Sequence, residues 1–224
     1  MYYCDENIKK LNRIFDQNSR KGYLRLDLNE NPGGLSQAFI DATLKNVSAG
    51  FLSEYPETQD FSEALAKYLN IDVNNICLVN GSSEGIRYII EAFTSPGGEI
   101  VGVTPTYAMF EVYSKMYGRK FVPVSYTEDL NMPVERILNS INENVQLLII
   151  VNPNNPMGNT YSEEEIKLIL NKARKMKVTV LIDEAYHYFY PNTFIKYALN
   201  NRHILVTRTF SKLFSLAGAR LGYV

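Results

Sequence analysis

Short apolar runs alternate along this chain with stretches in which apolar residues recur at helical spacing. Several runs are continuously apolar, which is typical of strands covered by helices on both faces of a parallel sheet. The runs predict strands at 76–79, 99–103, 120–124, 146–151, 178–182 and 203–207. The helical spacing predicts helices near 36–47, 60–70, 84–95, 106–117, 133–143, 162–177 and 193–200. This alternation predicts an α/β fold, a three-layer α/β/α arrangement around an open, mostly parallel sheet.

The two ends of the chain differ from this pattern. Residues 1–35 are polar and include the loop-like segment 26–34, so we expect an N-terminal arm followed by one domain at 36–224. The final residues 221–224 have the character of a strand that is just beginning. We therefore expect the chain to be part of a longer protein.

Composition and charge narrow the class of protein. The chain has 224 residues, of which 46% are hydrophobic and 21% charged, with a net charge of -1. These values are ordinary for a globular protein and give no overall field that attracts nucleic acid or acidic membranes. The longest apolar runs are too short to span a bilayer. Cys4 and Cys77 lie in no disulfide or metal motif, so we expect a cytoplasmic protein without a metal site.

The segment 209–223 contains the most distinctive lysine. Lys212 lies between Ser211 and Ser215 among small and apolar residues, and Arg220 follows eight positions later. Apolar surroundings and nearby positive charge both lower the pKa of a lysine, which prepares its amine to attack a carbonyl. The segment therefore raises the hypothesis that Lys212 is a Schiff-base lysine.

A second motif, Asn80-Gly-Ser-Ser-Glu-Gly85, follows a predicted strand and opens a predicted helix. Small residues at such a junction place backbone N–H groups at the positive end of the helix dipole, where they suit a phosphate. The alternative is a tight turn with Ser83 as the helix N-cap.

The same motif also fits the nucleophile elbow of a serine hydrolase. Ser83 would be the nucleophile, with Asp183 and His203 completing the chain order of the triad. This interpretation is weaker, because His203 begins a predicted strand and the Lys212 segment is left without a role.

Three further strand ends carry candidate side chains. Asn155 lies in a proline-constrained loop after one strand, Asp183 ends another with Tyr186 close behind, and Tyr107 follows a third. Ligands bind at the carboxyl edge of open α/β sheets, and a buried acid there needs a positive partner, such as a protonated ring nitrogen. The alternatives are a simple turn at Asn155, a helix N-cap at Asp183 and a core aromatic at Tyr107.

Taken in order, these motifs resemble the fold type I, class I/II aminotransferases that depend on pyridoxal phosphate. Within them, the segments 28–32 and 55–57 are most similar to the histidinol-phosphate aminotransferase group. The resemblance implies transamination between an amino acid or amino-alcohol phosphate and a 2-oxo acid. A decarboxylase resembling threonine-phosphate decarboxylase shares the cofactor motifs and stays open as an alternative.

The resemblance also assigns a role to each motif residue. It implies that Lys212 binds the cofactor covalently and moves a proton, while Asp183 pairs with the ring nitrogen. It further implies that Asn155 and Tyr186 bind the ring oxygen and that Tyr107 stacks on the ring. The phosphate would be held by the backbone at Ser82 and Ser83, the Ser211 hydroxyl and the Arg220 guanidinium. Glu84, in the same motif, is also expected among the cofactor-binding residues.

Two features of the resemblance concern the rest of the enzyme. Tyr55 would reach the cofactor phosphate of a partner subunit, which implies a homodimer with shared active sites. Family members continue into a small C-terminal domain that grips the substrate carboxylate. Because the matching motifs cover only the arm and the large domain, we expect this chain to bind cofactor but to transaminate poorly by itself.

Overall fold

A central sheet organises the chain, for which a computed structural model describes residues 3–11, 20 and 22–224. Part of the predicted N-terminal arm therefore lies outside the described residues. The strands are β1 (Leu78–Val79), β2 (Glu99–Thr104), β3 (Lys120–Ser125), β4 (Val145–Val151), β5 (Thr179–Asp183), β6 (Ile204–Thr209) and β7 (Gly222–Tyr223). Their order across the sheet is β1-β7-β6-β5-β4-β2-β3. The neighbours from β6 to β3 pair in parallel, and β7 runs antiparallel between β6 and β1.

Helices cover both faces of this sheet. They are α1 (Glu6–Lys9), α2 (Gln37–Leu44), α3 (Ala49–Ser53), α4 (Gln59–Leu69), α5 (Ser82–Phe93), α6 (Met109–Met116), α7 (Val134–Ser140), α8 (Glu163–Met176) and α9 (Ile195–Leu199). Short 3₁₀ turns occupy Val73–Asn75, His187–Phe189 and Ala217–Ala219.

Two apolar clusters separate the layers. In one, Ile86 and Ile90 of α5 and Phe110 of α6 pack on the sheet with Leu147 and Leu181. The other lies on the opposite face, where residues of α7 and α8 pack on alternate residues of the same strands. Strands with apolar side chains on both faces are those expected between two helix layers. The three-layer α/β/α prediction is confirmed.

The predicted boundaries of α8 are confirmed in detail. Ser162 Oγ accepts a hydrogen bond from the Glu165 N–H at 3.2 Å, and the Glu165 carboxylate accepts one from the Ser162 N–H at 2.8 Å. This capping box satisfies donors that the first helical turn leaves unpaired. The helix ends at Lys177, whose φ of 59° is left-handed.

Other boundaries differ from the pattern-based prediction. Helix α5 begins at Ser82, two residues early, while α6 begins only at Met109. The predicted strand at 76–79 reduces to Leu78–Val79, because its pairing partner β7 is equally short. Helix α3 was not predicted, although Ser48 Oγ caps it by accepting from the Phe51 N–H at 3.0 Å.

The segment before α4 contrasts with this packed domain, since α1, α2 and α3 bury none of their residues. Within the described ranges, no helix combines the length and apolar character that crossing a bilayer requires.

A buried ion pair joins the ends of β5 and β6. The Arg208 side chain, 3% exposed, donates to the fully buried carboxylate of Glu184 at 2.7 Å and 2.9 Å. Glu184 also accepts from the Phe194 N–H at 2.7 Å and from Thr193 Oγ1 at 2.8 Å. Charges removed from water are tolerated only when they are paired and hydrogen-bonded in this way. The pair therefore fixes the residue that follows Asp183.

Replacing Arg208 should be strongly destabilising. Arg208→Met leaves the Glu184 carboxylate buried without its cation, and we expect it to lower the free energy of unfolding by roughly 3–5 kcal/mol. Urea denaturation monitored by circular dichroism measures the loss. The double variant Arg208→Met/Glu184→Leu removes both charges and should recover most of it. A loss below about 1 kcal/mol for the single variant is the loss expected for a solvent-exposed ion pair. That result would contradict the conclusion that Arg208 and Glu184 form a buried pair.

Candidate functional site

The predicted site residues meet at one edge of the sheet. In the strand register, Val151 pairs with Asp183 and Asp183 pairs with Thr207. Gly222 of β7 pairs with Thr209 of β6 on one side and with Val79 of β1 on the other. The carboxyl ends of the parallel strands and the start of β7 therefore share this edge, which is where open α/β sheets bind ligands. The candidates that follow or end these strands are Ser82, Ser83, Glu84, Tyr107, Asn155, Asp183, Tyr186, Ser211, Lys212 and Arg220.

Two glycines allow the turn before α5 to approach the loop before β7. A Cβ on Gly222 would lie 2.8 Å from the Ser82 nitrogen, and one on Gly81, whose φ is 74°, would lie 2.6 Å from the Arg220 guanidinium. Neither position accommodates a larger side chain without movement. The sequence therefore brings a cation directly against the N-terminus of a helix.

The surroundings of Arg220 suit an anion. Its guanidinium donates to Ala217 O at 3.1 Å and to Ser211 Oγ and Asn80 O at 3.4 Å. Among the described residues, no carboxylate forms an ion pair with Arg220. The first N–H groups of α5 have no acceptor within the helix, and the helix dipole adds positive potential there. A guanidinium, a hydroxyl and a helix N-terminus together form a favourable place for a phosphate.

Ser83 and Glu84 each have a hydrogen-bond partner within the domain. The N-cap of α5 is Gly81, so the interpretation of Ser83 as the N-cap is wrong; its hydroxyl lies 2.9 Å from the Tyr107 hydroxyl. The Glu84 carboxylate accepts from the Asn80 N–H at 2.8 Å, which holds its pKa below the ordinary value. The Glu84 side chain thus stabilises its own turn, while Ser83 connects that turn to Tyr107.

Asp183 is an acid with little polar compensation. Its residue is 3% exposed and its carboxylate accepts one hydrogen bond in the described structure, from the Ala185 N–H at 2.9 Å. Burial raises the pKa of Asp183 to about 7, with a further increase from Glu184, while Lys212 acts in the opposite direction. The 3₁₀ turn that follows has Tyr186 as its N-cap, so the alternative of a helix capped by Asp183 is wrong. A buried acid of this kind suits a cationic partner.

Lys212 is a cation whose charge acts on Asp183. Its ammonium donates to Leu28 O at 2.8 Å and lies 5.8 Å from the centre of the Tyr186 ring. Burial lowers the pKa of Lys212, and Arg220 lowers it further, while Glu30 and Asp183 raise it. An amine that loses its proton more easily than an ordinary lysine is a better nucleophile.

Asn155 and Tyr186 are joined by a residue that the sequence analysis missed. Asn29 Nδ2 donates to the Tyr186 hydroxyl at 2.8 Å and to Asn155 Oδ1 at 3.1 Å. The signal available in the sequence was the polar segment 28–32, which is loop-like and is part of the family resemblance. Local periodicity does not reveal that Asn29 contacts residues more than a hundred positions away.

The arm contacts the lysine loop at one further point, where Asn31 Nδ2 donates to Ser215 Oγ at 2.6 Å. Within the arm, Arg20 pairs with Asp27 at 2.6 Å and with Glu30 at 2.8 Å. The Asn31 bond and the bond from Lys212 to Leu28 O place the segment 28–31 beside the lysine.

Tyr55 is not brought to the site within this chain. It is 97% exposed, on the segment between α3 and α4. Its predicted contact with a partner's cofactor stays a prediction.

The hydrolase triad is not assembled. His203 directly precedes β6, at the amino end of that strand, whereas Ser83 and Asp183 lie at the carboxyl edge. The Ser83 hydroxyl has Tyr107 as its partner. The serine hydrolase hypothesis is therefore wrong.

Comparison with known proteins agrees with this geometry. The profile of the family described as Aminotransferase class I and II matches residues 21–224, and the chain belongs to this family. The chain is 35% identical, over 202 residues, to a histidinol-phosphate aminotransferase of Caldanaerobacter subterraneus subsp. tengcongensis; the match covers 89% of this chain and 57% of the relative. The chain thus spans little more than half the length of such relatives.

Solved structures are similar in the same way. The histidinol-phosphate aminotransferase of Sinorhizobium meliloti in complex with pyridoxal-5'-phosphate superposes with a TM-score of 0.79 at 26% identity, covering 88% of this chain and 54% of that one. The enzyme of the same name from Clostridium acetobutylicum gives a TM-score of 0.74 at 30% identity, covering 87% and 58%.

The raised pKa of Asp183 gives a pH-dependent stability with a definite sign. Below about pH 4 the carboxyl is protonated in both the folded and the unfolded chain, and between about pH 4 and 7 the folded chain keeps a proton that the unfolded chain releases. Relative to Asp183→Asn, wild type therefore loses stability as the pH rises through this window. We expect the variant without added ligand to be more stable by roughly 1–4 kcal/mol at about pH 8, with a smaller difference at about pH 5.

Urea denaturation at both pH values measures this difference. Asp129→Asn is a control of opposite sign, since hydrogen bonding, chiefly from Thr127, holds the pKa of Asp129 below its ordinary value. A stability gain for Asp183→Asn that did not change with pH would contradict a buried, raised-pKa carboxyl.

Proposed function

We propose that this chain is the cofactor-binding part of an aminotransferase that uses pyridoxal phosphate, with an arm at 1–35 and a large domain at 36–224. The reaction would exchange an amino group between an amino acid or amino-alcohol phosphate and a 2-oxo acid, as in the histidinol-phosphate enzymes that the chain resembles. The observation that carries the proposal is the presence of Asp183 and Lys212 at the ligand-binding edge, a buried acid with one hydrogen bond and an amine, each of which influences the pKa of the other. Perturbed groups of this kind concentrate at functional sites.

The residues present fit the chemical groups of pyridoxal phosphate. Arg220, Ser211 and the start of α5 offer an anion site, and among the described residues no carboxylate pairs with Arg220. The Asp183 carboxylate, buried with one hydrogen-bond donor, suits a protonated ring nitrogen. The amide of Asn155 and the hydroxyl of Tyr186 supply donors for the ring oxygen, and Tyr107 offers an aromatic face.

Each residue then has a role that its surroundings support. When bound, the cofactor supplies an aldehyde for an amine and an electron-withdrawing ring. Asp183 would hold a proton on the ring nitrogen, since a cation beside it restores the ionised state that burial disfavours. Lys212 Nζ would bind the aldehyde and later carry a proton at the substrate α-carbon. The arm segment 28–31 would limit the access of water to that nitrogen.

We further propose that two copies of the chain associate through the exposed segment before α4. Phe39, Leu44, Phe51, Leu52 and Tyr55 are between 50% and 97% exposed in a single chain. Apolar surface of this extent is characteristic of interaction sites on soluble domains. A second copy packed there would bring its Tyr55 towards the neighbouring site, as the family resemblance implies.

Cofactor attachment provides the direct test of function, because it does not require the rest of the enzyme. Wild-type protein mixed with pyridoxal phosphate and reduced with borohydride should carry the label on Lys212, as mapped by peptide mass spectrometry. Lys212→Ala should lose both the label and the visible absorbance. Lys120→Ala, at the amino end of β3, is the matched control and should behave as wild type. Labelling spread over several surface lysines, or absent from Lys212, would refute the proposal.

Association has its own test. Wild type should sediment at twice the mass of one chain, and Phe51→Glu/Leu52→Glu should shift it towards the monomer, because buried charge opposes association. Leu168→Glu introduces the same charge at an exposed leucine of α8 and serves as the control. A wild-type chain that remains monomeric at high concentration would rule out this interface.

A further inference from the structure

Asn29 has an unusual position for an arm residue. Its backbone φ is 52°, in the left-handed region that asparagine tolerates better than most residues. This conformation accompanies an amide that reaches two residues on different strand-end loops, with Nδ2 donating to Tyr186 and to Asn155. One NH₂ group thus uses both of its hydrogens on the two predicted ring-oxygen ligands.

The direction of these hydrogen bonds has a chemical consequence. Because Asn155 Oδ1 accepts from Asn29, the NH₂ group of Asn155, on the other side of Cγ in the same plane, points away from Asn29 and keeps its own hydrogens available. Because the Tyr186 oxygen accepts as well, its O–H hydrogen stays free to be donated. Asn29 therefore orients two donors without consuming either of them.

The backbone around Asn29 is also held by contacts that do not involve the lysine. Asn31, two residues further on, donates to Ser215 Oγ at 2.6 Å. Arg20 donates to Glu30 Oε2 at 2.8 Å. A donor held in place by its neighbours loses less freedom on binding than a mobile one.

We propose that Asn29 is a positioning residue that aims the Asn155 amide and the Tyr186 hydroxyl at the ring oxygen of pyridoxal phosphate. The proposal rests on the proposed function and deepens it. Asn29 acts through its two partners and does not itself contact the ring oxygen. It is exposed in the single chain, so its hydrogen bonds compete with water and contribute little to folding.

The electrostatic surroundings indicate what should be measured. Asp183 acts on the Tyr186 hydroxyl, and Lys212 Nζ lies 5.8 Å from the centre of the Tyr186 ring. Glu30, Arg220 and Asp183 are the charged groups that act on Lys212 in turn. Donors to a negatively charged ring oxygen stabilise that charge, which makes the neighbouring Lys212 nitrogen less basic once it is bonded to the cofactor. If the two donors no longer point at the ring oxygen, the pH at which this nitrogen loses its proton should therefore rise.

The experiment uses Asn29→Asp and Asn29→Ala, each loaded with pyridoxal phosphate and titrated by visible absorbance from about pH 5 to about pH 10. The first variant keeps the shape but replaces donors with acceptors and a negative charge, and the second only removes the donors. We expect both to raise the midpoint, the first by about one pH unit or more. Asn144→Asp makes the same change at an exposed residue directly before β4, at the opposite edge of the sheet, and should leave the midpoint near the wild-type value.

A double-mutant cycle separates positioning from a general disturbance of the arm. If Asn29 acts partly through the Tyr186 hydroxyl, Asn29→Ala should raise the midpoint less in a Tyr186→Phe background than in wild type. Thermal unfolding should show Asn29→Ala melting close to wild type, which confirms that the titration reports on a folded protein.

The outcomes are distinguishable. Variants at Asn29 that carry the cofactor on Lys212 and keep the wild-type midpoint would overturn the positioning role and leave the proposed function intact. Equal shifts for Asn29→Asp and Asn144→Asp would also overturn it, since the effect would then be that of a charge added anywhere on the surface. A wild-type chain that takes no cofactor on Lys212 would overturn the proposed function and this inference together.

Discussion

The register of the parallel strands is the constraint on which the candidate site depends. Asp183 pairs with Val151 on one side and Thr207 on the other, so β4 and β5 end at one level, beside Thr207 of β6. A slip of one residue would exchange the faces of every side chain on a strand. The apolar clusters on both sheet faces oppose such a slip, and the buried pair of Glu184 and Arg208 adds a polar constraint at the same level. The packing of both sheet faces and the Glu184–Arg208 pair thus hold Asp183 in a buried position, although its carboxylate accepts one hydrogen bond in the described structure.

The antiparallel strand β7 extends this constraint to the anion site. Gly222 lies against the turn before α5 so closely that a Cβ would meet its backbone at 2.8 Å. That contact brings the loop carrying Arg220 to the N-terminus of α5, which is itself placed by the pairing of Leu78 with Tyr223. The candidate anion site therefore results from close backbone packing at Gly81 and Gly222, which allows the Arg220 side chain to reach the N-terminus of α5.

Periodicity and motif chemistry were sufficient for the layers of the fold and for most positions at the site edge. Strand ends are readable because buried strands are apolar on both faces and the polar residues after them stand out, as with Asp183 and Asn155. The contact of Ser83 was harder to predict, since a hydroxyl two residues after Gly81 fits a cap, a phosphate ligand or a contact to Tyr107 equally well. Asn29 was beyond local reasoning, because its partners lie 126 and 157 residues away and are chosen by the tertiary fold.

The arm matters to the chemistry of Lys212 as well as to its geometry. Burial lowers the pKa of this lysine most, and Arg220 of the domain acts in the same direction, while Glu30 of the arm is the largest opposing influence. The lysine also donates to the arm carbonyl of Leu28, a bond that is stronger for a charged ammonium than for a neutral amine. Leu28 and Glu30 of the arm thus favour the protonated amine, as Asp183 of the domain also does, while burial and Arg220 favour the neutral one. A ligand that took the place of the Leu28 carbonyl at Lys212 would remove one of the restraints on deprotonation, so binding and activation of the amine would be coupled through the same few atoms.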